Sequence, residues 1–126
     1  HTAQANGRAL ADGVKRVMKA GSLDALVYPT WSNPPRLIGD LQSPAGDNSQ
    51  DLSPHTGFPA ISVPMGFTRR QPDTSGSRPY SGAGLPAGIT FLATAWSEGR
   101  LIELAYSYER GTMHRQPPWT TPPLVH

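Results

Sequence analysis

SPHTGFPAISVPMGFT, residues 53–68, sets backbone punctuation on both sides of a short apolar run. Inside it, residues 60–67 (AISVPMGF) alternate. Ile61, Val63 and Met65 share one face, and Ala60, Ser62 and Pro64 share the other. A period of two marks a strand with two unlike faces. Pro64 has no N–H to give to a ladder, so this strand is an edge or bends there. Residues 88–95 (GITFLATA) supply the next strand. Its expected partner is 60–67, antiparallel across the polar stretch between them.

Working outward, residues 3–20 read as a helix. Leu10, Val14, Val17 and Met18 form one apolar stripe, with Gly21 as its stop. Gly7 and Gly13 weaken that helix, by about 1 kcal/mol each against Ala. DALVYP (24–29) is a short strand closed by Pro29, and its near-continuous apolar run suits a strand covered on both faces. Residues 30–52 show no period and read as a long loop, and 51–57 read as the loop leading into the next strand. Residues 68–86 are a second polar loop. After 88–95, Ser97 is placed to cap a helix in which Leu101, Leu104, Ala105 and Tyr108 make the buried stripe. That helix should fade near Met113, and HRQPPWTTPPLV is an extended tail. The order implies an α/β layer with a small mixed sheet.

Gly (13) and Pro (14) make up about a fifth of the 126 residues, well above average usage. With 11 basic and 9 acidic side chains and no basic stripe, nucleic acid is not an expected partner. The absence of cysteine rules out disulfides and thiolate metal sites. No apolar run approaches the length of a membrane span. Nothing after His1 resembles a signal peptide, and the thin core reads as a piece of a longer protein.

Asp51, Ser53 and His55 are the three residue types of a hydrolase triad. Triad members normally come from separated elements, and neighbours in one tight loop seldom aim at a common point. The expectation is that Ser53 or Asp51 caps a turn and that His55 packs or faces a cleft. The histidines at 1, 55, 114 and 126 have no metal-ligand spacing, so no metal is expected. Gly82 and Gly84 lack the strand-before, helix-after context of a phosphate loop. Lys15 and Lys19 lie on the polar side of the first helix, where solvation is the default. Tyr106 and Tyr108 read as rim and core of the last helix. Trp31, in a long irregular loop, is either a packing plug or a ligand platform.

Four segments in order resemble the C-terminal portion of amidase-signature hydrolases. They are DALVYPT (24–30), GFPAISVPMGF (57–67), GLPAGITFLATAWSEGRLIELAYSYE (84–109) and HRQPP (114–118). The wording of 53–67 is closest to the peptide-amidase-like branch. The resemblance implies an α/β/α fold with a mixed sheet between helices, residues 1–126 forming its C-terminal part and 68–83 a surface insertion. It implies hydrolysis of a carboxamide, in a small molecule or a peptide, without metal or cofactor. The family uses a nucleophilic Ser, a second Ser joined by a cis peptide bond, and a Lys base.

The Gly/Ser-rich stretch bearing those serines, and the strand-borne Lys before it, are absent from these residues. No catalytic residue is therefore carried over, and the missing N-terminal portion is the expected partner. Trp31 in the 30–40 loop and His55 in the 51–57 loop are the candidates for a substrate-pocket wall. The competing readings are a non-catalytic binding module that self-associates through an exposed sheet edge, and a small hydrolase built on Ser53.

Overall fold

The alternation around Ser62 is realised as a three-stranded sheet in the order β1-β3-β2. β1 is Leu26–Pro29, β2 is Ala60–Phe67 and β3 is Pro86–Leu92. The computed structural model describes residues 2–32, 39, 41–42, 52–68 and 84–117. Ser62 and Tyr28 flank Thr90, while Ile61 and Val27 flank Phe91. The expected pairing of 60–67 with the next strand is present, shifted to begin at Pro86 and end at Leu92. The α/β class stands. Among the described strands every pairing is antiparallel, so a mixed sheet is not formed by these three.

One bond fixes the phase of the β2–β3 ladder. The Ala93 N–H donates to the Pro59 carbonyl at 3.2 Å, which turns Pro59 toward β3. Facing alternates along an antiparallel strand. Ile61 and Val63 therefore turn their backbone groups toward β3, and Phe58, Ala60, Ser62 and Pro64 turn theirs outward. The N–H that Pro64 lacks would have pointed away from β3, so the ladder loses nothing. Pro64 sits on an edge strand, and the register slips between Pro64 and Gly66.

α3 (Glu98–Thr112) covers one face of the sheet. Leu101 and Ala105 are buried, and the Tyr108 ring meets Phe91 edge-on at 5.7 Å between centroids. Thr90, Ser62 and Tyr28 lie on the opposite face, because side chains alternate along strands. The helix ends at Met113, which takes a left-handed conformation. Ser97 stands at the N-cap position but makes no side-chain cap. Its φ of −104° and ψ of 20° depart from the extended backbone that aims a cap hydroxyl at the first-turn amides. The Ser97 hydroxyl lies instead 3.4 Å from that of Thr94.

α1 (Thr2–Ala20) buries Ala11, Val14 and Met18. Val17, expected on the stripe, is 58% exposed because the buried face is centred on Ala11 rather than on Leu10 and Val17. At its end the Leu23 N–H reaches the Met18 carbonyl at 2.9 Å and the Ser22 N–H reaches Lys19 at 3.2 Å. This is the paired closure of a Schellman motif, with Ser22 rather than Gly21 in the left-handed position.

Residues expected as loop form a one-turn helix, α2 (Leu52–Thr56). The Gly57 N–H closes on the Ser53 carbonyl at 2.9 Å, and the Thr56 hydroxyl closes on Leu52 at 2.6 Å. This turn accounts for Gly7. A Cβ at that position would lie 2.6 Å from the His55 carbonyl oxygen, so α1 and α2 approach this closely only through its absence. The insertion expected at 68–83 and the tail beyond residue 117 lie outside the described residues, apart from Thr68.

Thr90 is buried at 6% exposure, the one buried polar side chain among the described residues. Its Oγ1 lies 2.8 Å from both Thr30 Oγ1 and Ser62 Oγ. β2, β3 and the residue that follows β1 thus contribute three hydroxyls to one row. Gly88 makes room for it, since a Cβ there would stand 2.8 Å from Thr30 Oγ1.

These contacts predict stability effects that urea or thermal unfolding reads. Gly7→Ala should destabilise by about 1–3 kcal/mol through overpacking. Gly13→Ala, with no atom within 4 Å, should stabilise by about 0.5–1 kcal/mol. Thr90→Val removes the shared partner of two hydroxyls and should cost about 1–3 kcal/mol, with Thr90→Ser costing less. Equal effects of the two glycine changes would contradict the α1–α2 contact.

Candidate functional site

β1 and β2 run in the same direction, since Leu26 and Ala60 both pair with Leu92 of β3. Trp31, about half exposed, lies just past the carboxyl end of β1. α2 with His55 lies before the amino end of β2, and His55 is exposed. The two pocket-wall candidates therefore leave the sheet at opposite ends. Roughly 13 Å of strand rise separates Leu26 from Thr30. The structure does not bring Trp31 and His55 together.

Ser53 is not placed as a nucleophile. Its hydroxyl donates to the Phe58 carbonyl at 2.7 Å, tying α2 to the start of β2. His55 is two residues further along the same turn, a spacing that does not share a helix face. Asp51 lies outside the described residues. Lys15 has the Asp12 carboxylate at 3.7 Å and the Phe58 ring at 5.7 Å, and its side chain is 55% exposed. Activated lysines are desolvated or set beside another cation, and Lys15 is neither. Lys19 is exposed in the last turn of α1.

Tyr106 is 63% exposed, while Tyr108 packs between Phe91 and His114. His114 is exposed, and His1 and His126 lie outside the described residues. Among the described residues no three His, Asp or Glu side chains converge as a metal site would need.

Two shaped places remain. A groove of about 750 Å³ lies between α1 and α2, with Arg8, Asp12, Lys15, His55 and Phe58 among its walls. Its charges are mixed, and the Lys15–Asp12 pair on its wall is largely exposed to solvent. The second place is the Thr30–Thr90–Ser62 row. Sequence reasoning missed it, although Ser62 and Thr90 hold like positions on two strands expected to pair. Tyr28 shares that face, and burial lifts its phenol above the ordinary value, keeping it neutral. The face is thus polar and uncharged. Ser62 Oγ is engaged with Thr90, and among the described residues no base is placed to take its proton. The row is suited to hydrogen bonding rather than to nucleophilic attack.

At the other end of the sheet, Arg100 joins α3 to the approach of β1 through Asp24 at 3.1 Å, with Glu103 at 3.0 Å. The Asp24 bond leads in holding the guanidinium above its usual value. All three side chains are largely exposed, so the pairs are structural ties of small worth.

The Amidase family model matches residues 1–102. A putative amidase of Arthroderma benhamiae is 35% identical over 109 residues, covering 83% of this chain and 15% of that protein. A probable amidase of Arabidopsis thaliana is 30% identical over 107 residues, covering 85% of this chain and 15% of that protein. The crystal structure of the peptide amidase from Stenotrophomonas maltophilia superposes with a TM-score of 0.68 at 35% identity. It covers 91% of this chain and 20% of the peptide amidase. The chain thus spans about a fifth or less of the relatives it matches. Sequence and superposed fold agree, and the chain belongs to the amidase family.

Proposed function

We propose that this chain forms the C-terminal part of a longer amidase, and that the reacting serines and lysine come from sequence outside it. One observation carries the reading. The chain superposes over 91% of its own length but accounts for only 20% of the peptide amidase. Two features of the surface support it. α3 carries an exposed apolar pair one turn apart, Ile102 at 59% and Tyr106 at 63% exposure. Exposed apolar pairs of this kind suit a surface that another element covers. Trp96, 91% exposed, also holds a positive φ of 67°, a conformation that disfavours bulky residues.

In the whole enzyme a neutral Lys takes a proton from the bridging Ser, which in turn activates the nucleophilic Ser. Attack on the carboxamide gives a tetrahedral oxyanion held by backbone N–H groups. The amine departs with a proton, and water then hydrolyses the acyl-enzyme. This chain contributes the frame. Trp31, a half-exposed ring just past the carboxyl end of β1, supplies one wall of the pocket in this reading. The substrate is a carboxamide carried by a small molecule or a peptide.

Purified chain should release no ammonia from a C-terminally amidated peptide and take no label from a fluorophosphonate probe. Turnover that vanishes with Ser53→Ala or Ser62→Ala would overturn the reading. Grafted into the Stenotrophomonas maltophilia peptide amidase in place of the matching segment, the chain should support hydrolysis. In that graft Trp31→Ala should raise KM about tenfold with kcat nearly unchanged, the signature of lost ground-state binding.

A further inference from the structure

β1 ends at Pro29, and the residue after it is held more firmly than a strand end requires. Thr30 lies one step past the Pro29–Ile89 pair, opposite Gly88. Its N–H donates to the Gly88 carbonyl at 2.9 Å. Gly88 has no side chain, so the Thr30 hydroxyl crosses above it to Thr90, at 2.8 Å between the two oxygens. A Cβ at Gly88 would lie 2.8 Å from Thr30 Oγ1 and 3.3 Å from Thr30 Cβ. Thr90 is buried, and Ser62 Oγ also lies 2.8 Å from its hydroxyl.

The row is not needed to set the sheet's register. Ser62 and Thr90 already face each other in the β2–β3 ladder, as Tyr28 and Thr90 do in the β1–β3 ladder. Buried hydroxyls that bond one another add little net stability over apolar groups of the same shape. What they add is direction. A hydrogen bond holds over a narrow range of distance and angle, whereas apolar contact is non-directional. Thr30 is the member of the row that lies past a strand end, so it is the member on which that direction acts. One tie from the backbone and one from the side chain fix it against β3, and Pro29 before it has a preset φ. The Trp31 Cα follows about 3.8 Å further on.

We propose that Thr90 is a positioning residue for Trp31, acting through Thr30 so that the indole bounds the substrate pocket in one fixed place. The proposal rests on the reading of Trp31 as one wall of that pocket. Thr90 is buried and acts at one remove from the substrate. It takes freedom away from the root of the segment that carries Trp31. A ring held in place beforehand loses less freedom when substrate binds. Such an effect belongs to KM, because the reacting serines and lysine of this reading lie outside the chain and kcat follows them.

Steady-state kinetics on the peptide-amidase graft, with a C-terminally amidated peptide as substrate, test this. Thr90→Val should raise KM about fivefold with kcat within about twofold. Thr90→Ser keeps the hydroxyl and should stay within about twofold of the unaltered graft on both constants. Thr30→Val should match Thr90→Val, and at its half-buried position it carries the same test if the buried change prevents folding. Ser62→Ala leaves the Thr30–Thr90 bond in place and should change KM by about twofold at most. Combined with Trp31→Ala, Thr90→Val should add nothing further, as expected of residues that act through one another. KM raised by Trp31→Ala but by neither threonine change would overturn the positioning role and leave the pocket reading standing. Effects that multiply in the double variant, or a fall in kcat alone, would assign Thr90 to another route and overturn the proposal. A KM unmoved by Trp31→Ala itself would remove the pocket wall and the proposal together.

Discussion

The pairing of β2 with β3 is the constraint on which the rest of the structure depends. It sets which residues face α3, since Phe91 meets Tyr108 only if Thr90 turns the other way. It brings Ser62 and Thr90 to hydrogen-bonding distance, and Thr30 joins them across Gly88. It also fixes the backbone phase, so that a proline can stand in the middle of an eight-residue strand without breaking a bond. A slip of one residue would reverse every one of these assignments at once, which is why such registers are strongly specified.

Much of this is legible in the residues. The alternation of Ile61 and Val63 with Ser62 names a strand and its two faces, and the stripe from Leu101 to Tyr108 names the face that α3 buries. What escapes is whatever depends on a neighbour distant in sequence. Residues 52–56 look like loop chemistry because a single helical turn has no period to read. Its support comes from Gly7, some fifty positions away in the chain, which only the fold reveals as a contact. Val17 reads as buried because a stripe of valines and leucines outranks one that includes Ala11, yet packing selects the smaller residue. Ser97 has the right identity for a cap and the wrong backbone.

The site is legible in a different way. Trp31 and His55 each suit a pocket wall by residue type, but sequence carries no information about which end of the sheet a loop occupies. Strand direction decides that, and it separates them. The Asp51, Ser53 and His55 grouping fails for a related reason. Closeness along the chain is not convergence in space, and the Ser53 proton is already given to Phe58. That bond also shows why hydroxyl residues recur in this stretch. Ser53 and Thr56 use theirs to satisfy Phe58, the first outward position of the edge.

The same use of hydroxyls recurs across the sheet. Thr30, Thr90 and Ser62 join across the strands, and Ser53 and Thr56 act at the start of β2. A hydroxyl with no base beside it donates and accepts but does not attack. It can satisfy a strand, tie a turn and hold a neighbouring side chain without adding charge to a small core. Such residues make a frame whose hydroxyls are committed internally. The chemistry of a serine amidase needs the reverse, a hydroxyl left free and a lysine stripped of water. Frame and reactive centre thus place opposite demands on the same residue types, and the hydroxyls of Thr30, Ser53, Thr56, Ser62 and Thr90 meet those of a frame.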